Sequence, residues 1–364
     1  MTTTATAGTG PPTTSPPVTP GASKGRAVLD AALPYVLAVV LAFLVGGVLV
    51  ALLGHNPIEA FRAVVTTSFK TPFGMVQTLH KWVPVTLLAL AFTIPLAAGK
   101  FNIGGEGQLL LGATGAVAVG ITLGELPKAV LLPLVIVAGV LAGAVWAGIA
   151  AWLMDRFRVN EILSTVLLNF VAFAVLDYVA SEVWADPGAG FPSTIRVGEG
   201  ALLPELGRPP LHTGVLLTVV LAVLVALAIR RSVAGFELRA VGANERAARV
   251  HGIRSGRIAV GSMVLAGMIA GLAGAIEVAG VHEKMVEGMQ SNYLLLGIIV
   301  GLIARGSALA VPFVAFGISV LEVGASAMQR TAQVPIEVVL IVEALILLFL
   351  LMSDVVATRL RARR

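Results

Sequence analysis

Apolar runs of spanning or near-spanning length recur ten times along the chain, at 32–53, 82–98, 109–123, 129–153, 161–180, 211–229, 258–280, 293–304, 307–326 and 335–352. A helix needs about 20 apolar residues to cross a bilayer core, and such a core requires every backbone N–H and C=O to be satisfied internally. Charged residues are 12% of the sequence, against about 25% in soluble domains. These numbers predict an all-α polytopic transmembrane bundle of about ten helices, with little mass outside the membrane. The expected organisation is a disordered tail at 1–28, a membrane domain at 29–356 and a basic tail at 357–364. Within the membrane domain, outer loops are expected at 54–81 and 181–210 and an inner loop at 230–257.

Basic residues set orientation, because inner loops carry the excess of Lys and Arg. With both termini inside, seventeen basic residues fall on the inner side and eight on the outer. This arrangement makes segments one to five and six to ten run in opposite senses. The two halves also share a feature. Residues 109–123 begin Leu109-Leu-Leu-Gly112 after a Gly104–Gln108 break, and 293–304 contain Leu294-Leu-Leu-Gly297 after a break at 287–292. Paired short, interrupted segments point to an inverted five-plus-five repeat. Small residues at Gly139/Gly143/Ala147, Gly267/Gly271 and Gly297/Gly301 are spaced for close helix packing, read as packing within one bundle.

The break at 99–108 carries the strongest functional signal. Four glycines, Lys100, Asn102, Glu106 and Gln108 stand between two apolar runs of about fifteen residues, each short of a full crossing. Non-helical backbone at membrane depth must be buried in protein or line a cavity, and interrupted helices mark transporter sites or gates. Phe101, Asn102, Gly104, Gly105, Glu106, Gly107 and Gln108 are therefore candidate pathway or gate residues; the bland alternative is a polar turn. Glu161, Thr165 and Asn169 share one helical face. Asn160 and Glu161 are explained by helix capping. Thr165 and Asn169 join the candidates, Asn169 either facing the pathway or bonding another helix. Glu277, Glu283, Glu287, Gln290 and Asn292 surround the second break, and Glu322, Glu337 and Glu343 lie in later spans; such carboxylates could relay protons or pair with Lys284 or Arg305.

In the inner loop, Ala243, Asn244, Glu245, Arg246, Ala247, Ala248, Arg249, Val250 and His251 form a short helix, capped by Asn244 and stopped by Gly252. Such an element suits docking of a partner. No Gly-x-x-x-x-Gly-Lys-Ser/Thr loop occurs, so any ATP energy would come from another subunit. The five histidines are scattered and cysteine is absent, which argues against a metal or redox centre. No enzymatic chemistry and no cofactor of the chain's own are expected.

Three stretches resemble the permease subunits of ABC importers for simple sugars and nucleosides: Phe101-Asn-Ile-Gly-Gly-Glu-Gly-Gln-Leu109, Asn160-Glu-Ile-Leu-Ser-Thr-Val-Leu-Leu-Asn-Phe170, and the 235–253 loop. The first stretch is similar to the nucleoside branch. The resemblance implies that 243–251 is the coupling helix of a cytoplasmic ATPase, which itself binds ATP and magnesium. It also implies a second permease (a paralogue in a heterodimer) and a substrate-binding lipoprotein outside a bacterial plasma membrane, with no nucleic-acid polymer involved. Amide and carboxylate groups at the break would meet ribose hydroxyls and a base edge, and Phe101 would stack. The alternatives are an ion- or proton-coupled carrier and, within the ABC class, a branched-chain amino acid permease.

Overall fold

A computed structural model describes residues 24–335 and 337–362. Each of the ten apolar runs falls on a helix, and three further helices lie between them. In chain order they are α1 (Lys24–Leu52), α2 (Pro57–Lys70), α3 (Pro72–Ala97), α4 (Gly105–Thr122), α5 (Lys128–Phe157), α6 (Glu161–Tyr178), α7 (Gly214–Arg231), α8 (Val233–Ala243), α9 (Glu245–Val250), α10 (Ser255–Glu277), α11 (Tyr293–Ile303), α12 (Val311–Ala332) and α13 (Glu337–Ala362). Six of these, two with a following π-turn, are long and apolar enough to cross a membrane. By contrast α11 has 11 residues, about 16 Å of helix, or half a hydrocarbon core.

Several expected boundaries move. Residues 24–28 already belong to α1 and 357–362 continue α13, while 1–23 and 363–364 lie outside the described residues. The expected outer loop at 54–81 is instead α2 and the first part of α3. Hydropathy hid the start of α3 because Gln77, His80 and Lys81 interrupt its apolar run, yet Lys81 is neutralised by Glu322 at 3.2 Å. Helix α2 is amphipathic. Asn56 caps it by accepting from the Ile58 amide, and Ala60, Val64 and Ser68 face inward. The expected inner loop contains α8 as well as α9, and Gly235 lies inside α8. The 181–210 segment is folded. A π-turn at Val179–Val183, bridges from Ala185 to Thr194 and Ser193 to Val286, and a short antiparallel pair, β1 (Glu205–Leu206) with β2 (Leu211–His212), hold it.

Helices α3 and α10 form the centre of the bundle. Gly242 of α8 packs on Ala97, and Ser255 at the start of α10 donates to Glu245 of α9 at 3.2 Å. Thus α3 ends and α10 begins at the same face, and the two run in opposite senses. Around them the packing is reciprocal: α10 packs on α4 and α5, while α3 packs on α11 and α12. Exchanging α3–α5 for α10–α12 reproduces this pattern, as an inverted repeat requires.

The small-residue stripes meet one another inside the chain. Gly139 and Gly143 of α5 lie against the Gly267 and Gly271 backbone of α10, where a Cβ would strike a carbonyl oxygen. Gly297 and Gly301 set α11 against Leu88, Ala89 and Phe92 of α3. Close backbone approach is the main association force between helices once lipid has removed the hydrophobic one.

Candidate functional site

The break before α4 is a closed polar knot. Gly99 turns the chain in a left-handed conformation (φ +71°), and Asn102 and Gln108 are each 1% exposed. Their amides bond each other twice, each at 2.9 Å, and Asn102 Oδ1 also accepts from the Gly104 amide at 3.1 Å. Helix α6 clamps the knot from the side. Asn169 Oδ1 accepts from the Gly107 amide at 2.8 Å while its Nδ2 donates to the Ile103 carbonyl at 2.8 Å. Thr165 Oγ1 accepts from the Ile103 amide at 3.3 Å. Two glycines are required by space: a Cβ on Gly107 would sit 2.9 Å from Asn169 Oδ1, and one on Gly104 2.9 Å from Gln108 Nε2.

These contacts show what each candidate side chain touches. Asn169 bonds across to another segment instead of facing open space. Asn160 caps α6, its Oδ1 accepting from the Ile162 and Leu163 amides. Asn102 and Gln108 are spent on each other, so they fix the shape of the break. Phe101 is 39% exposed and tilts against Phe92, ring centres 6.3 Å apart.

Glu106 stands at a junction that the sequence did not reveal. Gly105 abuts Leu294, in the first turn of α11, and Leu88 of α3. The two interrupted helices therefore meet N-terminus to N-terminus, and an acidic group at that junction suits both helix dipoles. Leu88 stands nine residues before the end of α3, about 14 Å along the axis. That is close to half of a ~30 Å core.

The second break is charged. After α10 a π-turn at Val278–His282 leads into backbone with positive φ at Glu283, Gly288, Ser291 and Asn292. Tyr293 donates to Glu277 at 3.4 Å, and His282 Nε2 lies 3.3 Å from the same carboxylate. The remaining carboxylates divide as follows: Glu283 pairs with Arg196 at 3.0 Å, Glu322 with Lys81, Glu343 is buried, and Glu287 and Glu337 are exposed. Lys284 bonds Asp186 at 3.1 Å. Together with the Gly188 amide, the larger cause, it holds that exposed carboxyl below its ordinary range. Beside the π-turn, His80 and His212 stack with ring centres 4.4 Å apart, and Gly280 abuts His212. Burial, then the neighbouring His80, lowers the His212 pKa to about 4.

The coupling candidates project from the end where α3 stops. Asn244 caps α9 by accepting from the Ala247 amide at 3.0 Å, and Arg249 pairs with Glu245 at 3.4 Å. Ala243, Arg246, Ala247, Val250 and His251 are exposed, but Ala248 is buried. Ala248 anchors the helix and does not offer a docking surface. Gly242 touches Gly99 as well as Ala97, which places α8 directly on the turn that opens the first break. A polar cleft of about 310 Å³, lined by Lys100, Asp155, Arg158, Glu161 and Glu245 among others, lies at this end.

Residues 74–351 match the model of a family described as the permease component of a branched-chain amino acid transport system. The chain belongs to that family. A glucose ABC transporter permease of Haloferax volcanii is 36% identical over 330 residues, covering 88% of this chain and 87% of the relative. A guanosine ABC transporter permease of Bacillus subtilis is 34% identical, covering 87% and 92%. A nucleoside ABC transporter permease of Lactococcus lactis is 26% identical, covering 89% and 92%. The chain is thus a multi-pass permease of the ABC importer type, in a family of transport components. These relatives set aside the ion-coupled carrier and do not favour the amino-acid reading, despite the family description.

Proposed function

We propose that the chain moves a neutral polyhydroxylated solute, a nucleoside, across the plasma membrane of a prokaryote by alternating access. It works as one permease of a pair, with a cytoplasmic ATPase that binds ATP and magnesium and a lipoprotein that delivers the solute outside. Both termini and the α8–α9 face are cytoplasmic in this reading, in keeping with the excess of basic residues there. The chain itself performs no covalent chemistry and holds no cofactor.

The observation that carries the proposal is the contact of Gly242 with Gly99. A push on α9 from a nucleotide-driven partner passes through α8 to the turn at Gly99. From there it reaches the Asn102–Gln108 knot and the Glu106–Leu294 junction near mid-membrane. Opening that junction parts the two interrupted helices and frees acceptors for solute hydroxyls. A simple sugar is the second reading, favoured by the glucose relative at 36% identity.

Purification through a tag on this chain tests the proposal. An ATPase should co-purify, and its hydrolysis, with binding protein added, should rise with a nucleoside and not with leucine. Stimulation by glucose alone would select the sugar reading. Loss of the ATPase on deleting 243–251 would fit the coupling role, whereas retention of both ATPase and uptake would overturn it.

A further inference from the structure

A second polar site lies farther from α9 than the Glu106 junction, among residues with no role in the first break. Lys81 of α3 pairs with Glu322 of α12, and their side chains are 19% and 16% exposed. Glu322 sits eleven residues into α12 and ten before its end, about 15 Å from either. Lys81 lies seven residues before Leu88, about 10 Å farther from the α9 face. Ionised side chains at such depth face a bundle interior or a watery cavity rather than lipid. Their exposed edges therefore mark a surface that lipid does not cover.

The pair is part of a continuous line. Lys81 Nζ stands 4.7 Å from the centre of the Tyr293 ring, Tyr293 bonds Glu277, and the next residue, Leu294, abuts Gly105 beside Glu106. Gln77, one turn before Lys81, is exposed, and Ser326, one turn after Glu322, is half-buried. Since α3 and α12 are antiparallel, both residues extend the polar stripe away from α9. Two buried acceptors also lack partners: Glu343 Oε1, on a side chain 1% exposed and within electrostatic reach of Glu322 and Lys81, and Gln290 Oε1. Unpaired buried acceptors call for a donor.

We propose that Lys81, Glu322 and Tyr293 form a solute-binding station between the Glu106 junction and the outer mouth, recognising vicinal hydroxyl groups. A hydroxyl donates and accepts at once, so a diol can donate to the Glu322 carboxylate or the Tyr293 phenol oxygen while accepting from the Lys81 ammonium. Paired opposite charges suit a neutral solute better than an ionic one. This station rests on the reading of the chain as a permease for polyhydroxylated solutes.

The test uses the complete transporter in proteoliposomes and has two arms. The native chain has no cysteine, so Ser326→Cys gives one thiol for a membrane-impermeant maleimide. Labelling from the outer side is expected, with Leu340→Cys on α13 as an unlabelled control. A silent Ser326→Cys would overturn the aqueous path whatever the solute. In the second arm, uptake of a ribonucleoside is compared with that of its 2′,3′-dideoxy analogue. Lys81→Met combined with Glu322→Gln removes both charges together and so avoids stranding one. The ratio of the two uptake rates should fall at least tenfold toward one. Equal losses with the ratio preserved would mean a purely structural pair and overturn the station. If the wild type takes up glucose and no nucleoside, the substrate reading fails, and glucose against 3-deoxyglucose serves the same comparison.

Discussion

Before α4 the chain turns through glycines and amides that bond one another, whereas before α11 it turns through left-handed backbone and residues that carry charge. The first break is closed on itself. Asn102, Gln108, Thr165 and Asn169 leave few groups over, and its neighbour is α8, the element next to the proposed coupling helix. The second break holds Tyr293, Glu277 and His282, with Lys81 above it and unpartnered acceptors nearby. They touch where Gly105 of α4 abuts Leu294 of α11. In the mechanism proposed above, one of these inverted half-helices is the stiff hinge on the drive side and the other the polar surface a solute uses.

The sharpest way to break this contrast is Asn169→Leu. It leaves the Gly107 N–H and Ile103 C=O buried without partners, at about 1–3 kcal/mol each. Thermal unfolding in detergent should show a loss of about 4 kcal/mol, with uptake abolished; an unchanged midpoint would mean that the knot holds without its clamp. A somewhat smaller effect is expected on the other side. His212 seats the π-turn before the second break, and its pKa is about 4 instead of 6.5. Its contribution is fully present above pH 6.5, where the unfolded chain is also neutral. It is lost as pH falls towards 4, because only the unfolded chain then takes up the proton. The loss amounts to about 3 kcal/mol and should vanish in His212→Phe, as read from unfolding midpoints across that range.

The junction itself is probed by Glu106. Glu106→Gln keeps a polar oxygen where two helix N-termini meet, whereas Glu106→Leu leaves the free amides there without one, at about 1–3 kcal/mol. Uptake should fall about tenfold or more in the leucine variant and much less in the glutamine one. Equal uptake in both would show that the junction does not depend on a polar group at Glu106. Smallest of all is Tyr293→Phe. Glu277 keeps His282 as a partner, so stability should drop by about 1 kcal/mol or less, measured in the same unfolding assay.

Hydropathy made the helices legible because the period and length of apolar runs are local properties. The first break was equally visible, since glycines and amides inside an apolar stretch have no other ready explanation. What escaped were features created by distant pairing. Lys81 reads as a loop residue until Glu322, far along the chain, neutralises it. The meeting of Gly105 with Leu294 beside Glu106 is invisible in the sequence, because the two lie almost 190 residues apart. Ala248 looks like part of a docking face until α9 is seen to turn it inward. Helix α8 was lost because Gly235 and Gly242 argue against helix, yet both are needed for packing on Ala228 and Ala97.

The central claim is that motion at α9 reaches the first break through Gly242. Its most direct test is the number of solute molecules taken up per ATP hydrolysed by the complete transporter carrying Gly242→Val. The added side chain strikes the end of α3 and separates α8 from the Gly99 turn without touching the proposed solute groups. Hydrolysis should continue while uptake per ATP falls at least tenfold. An unchanged ratio would contradict the account.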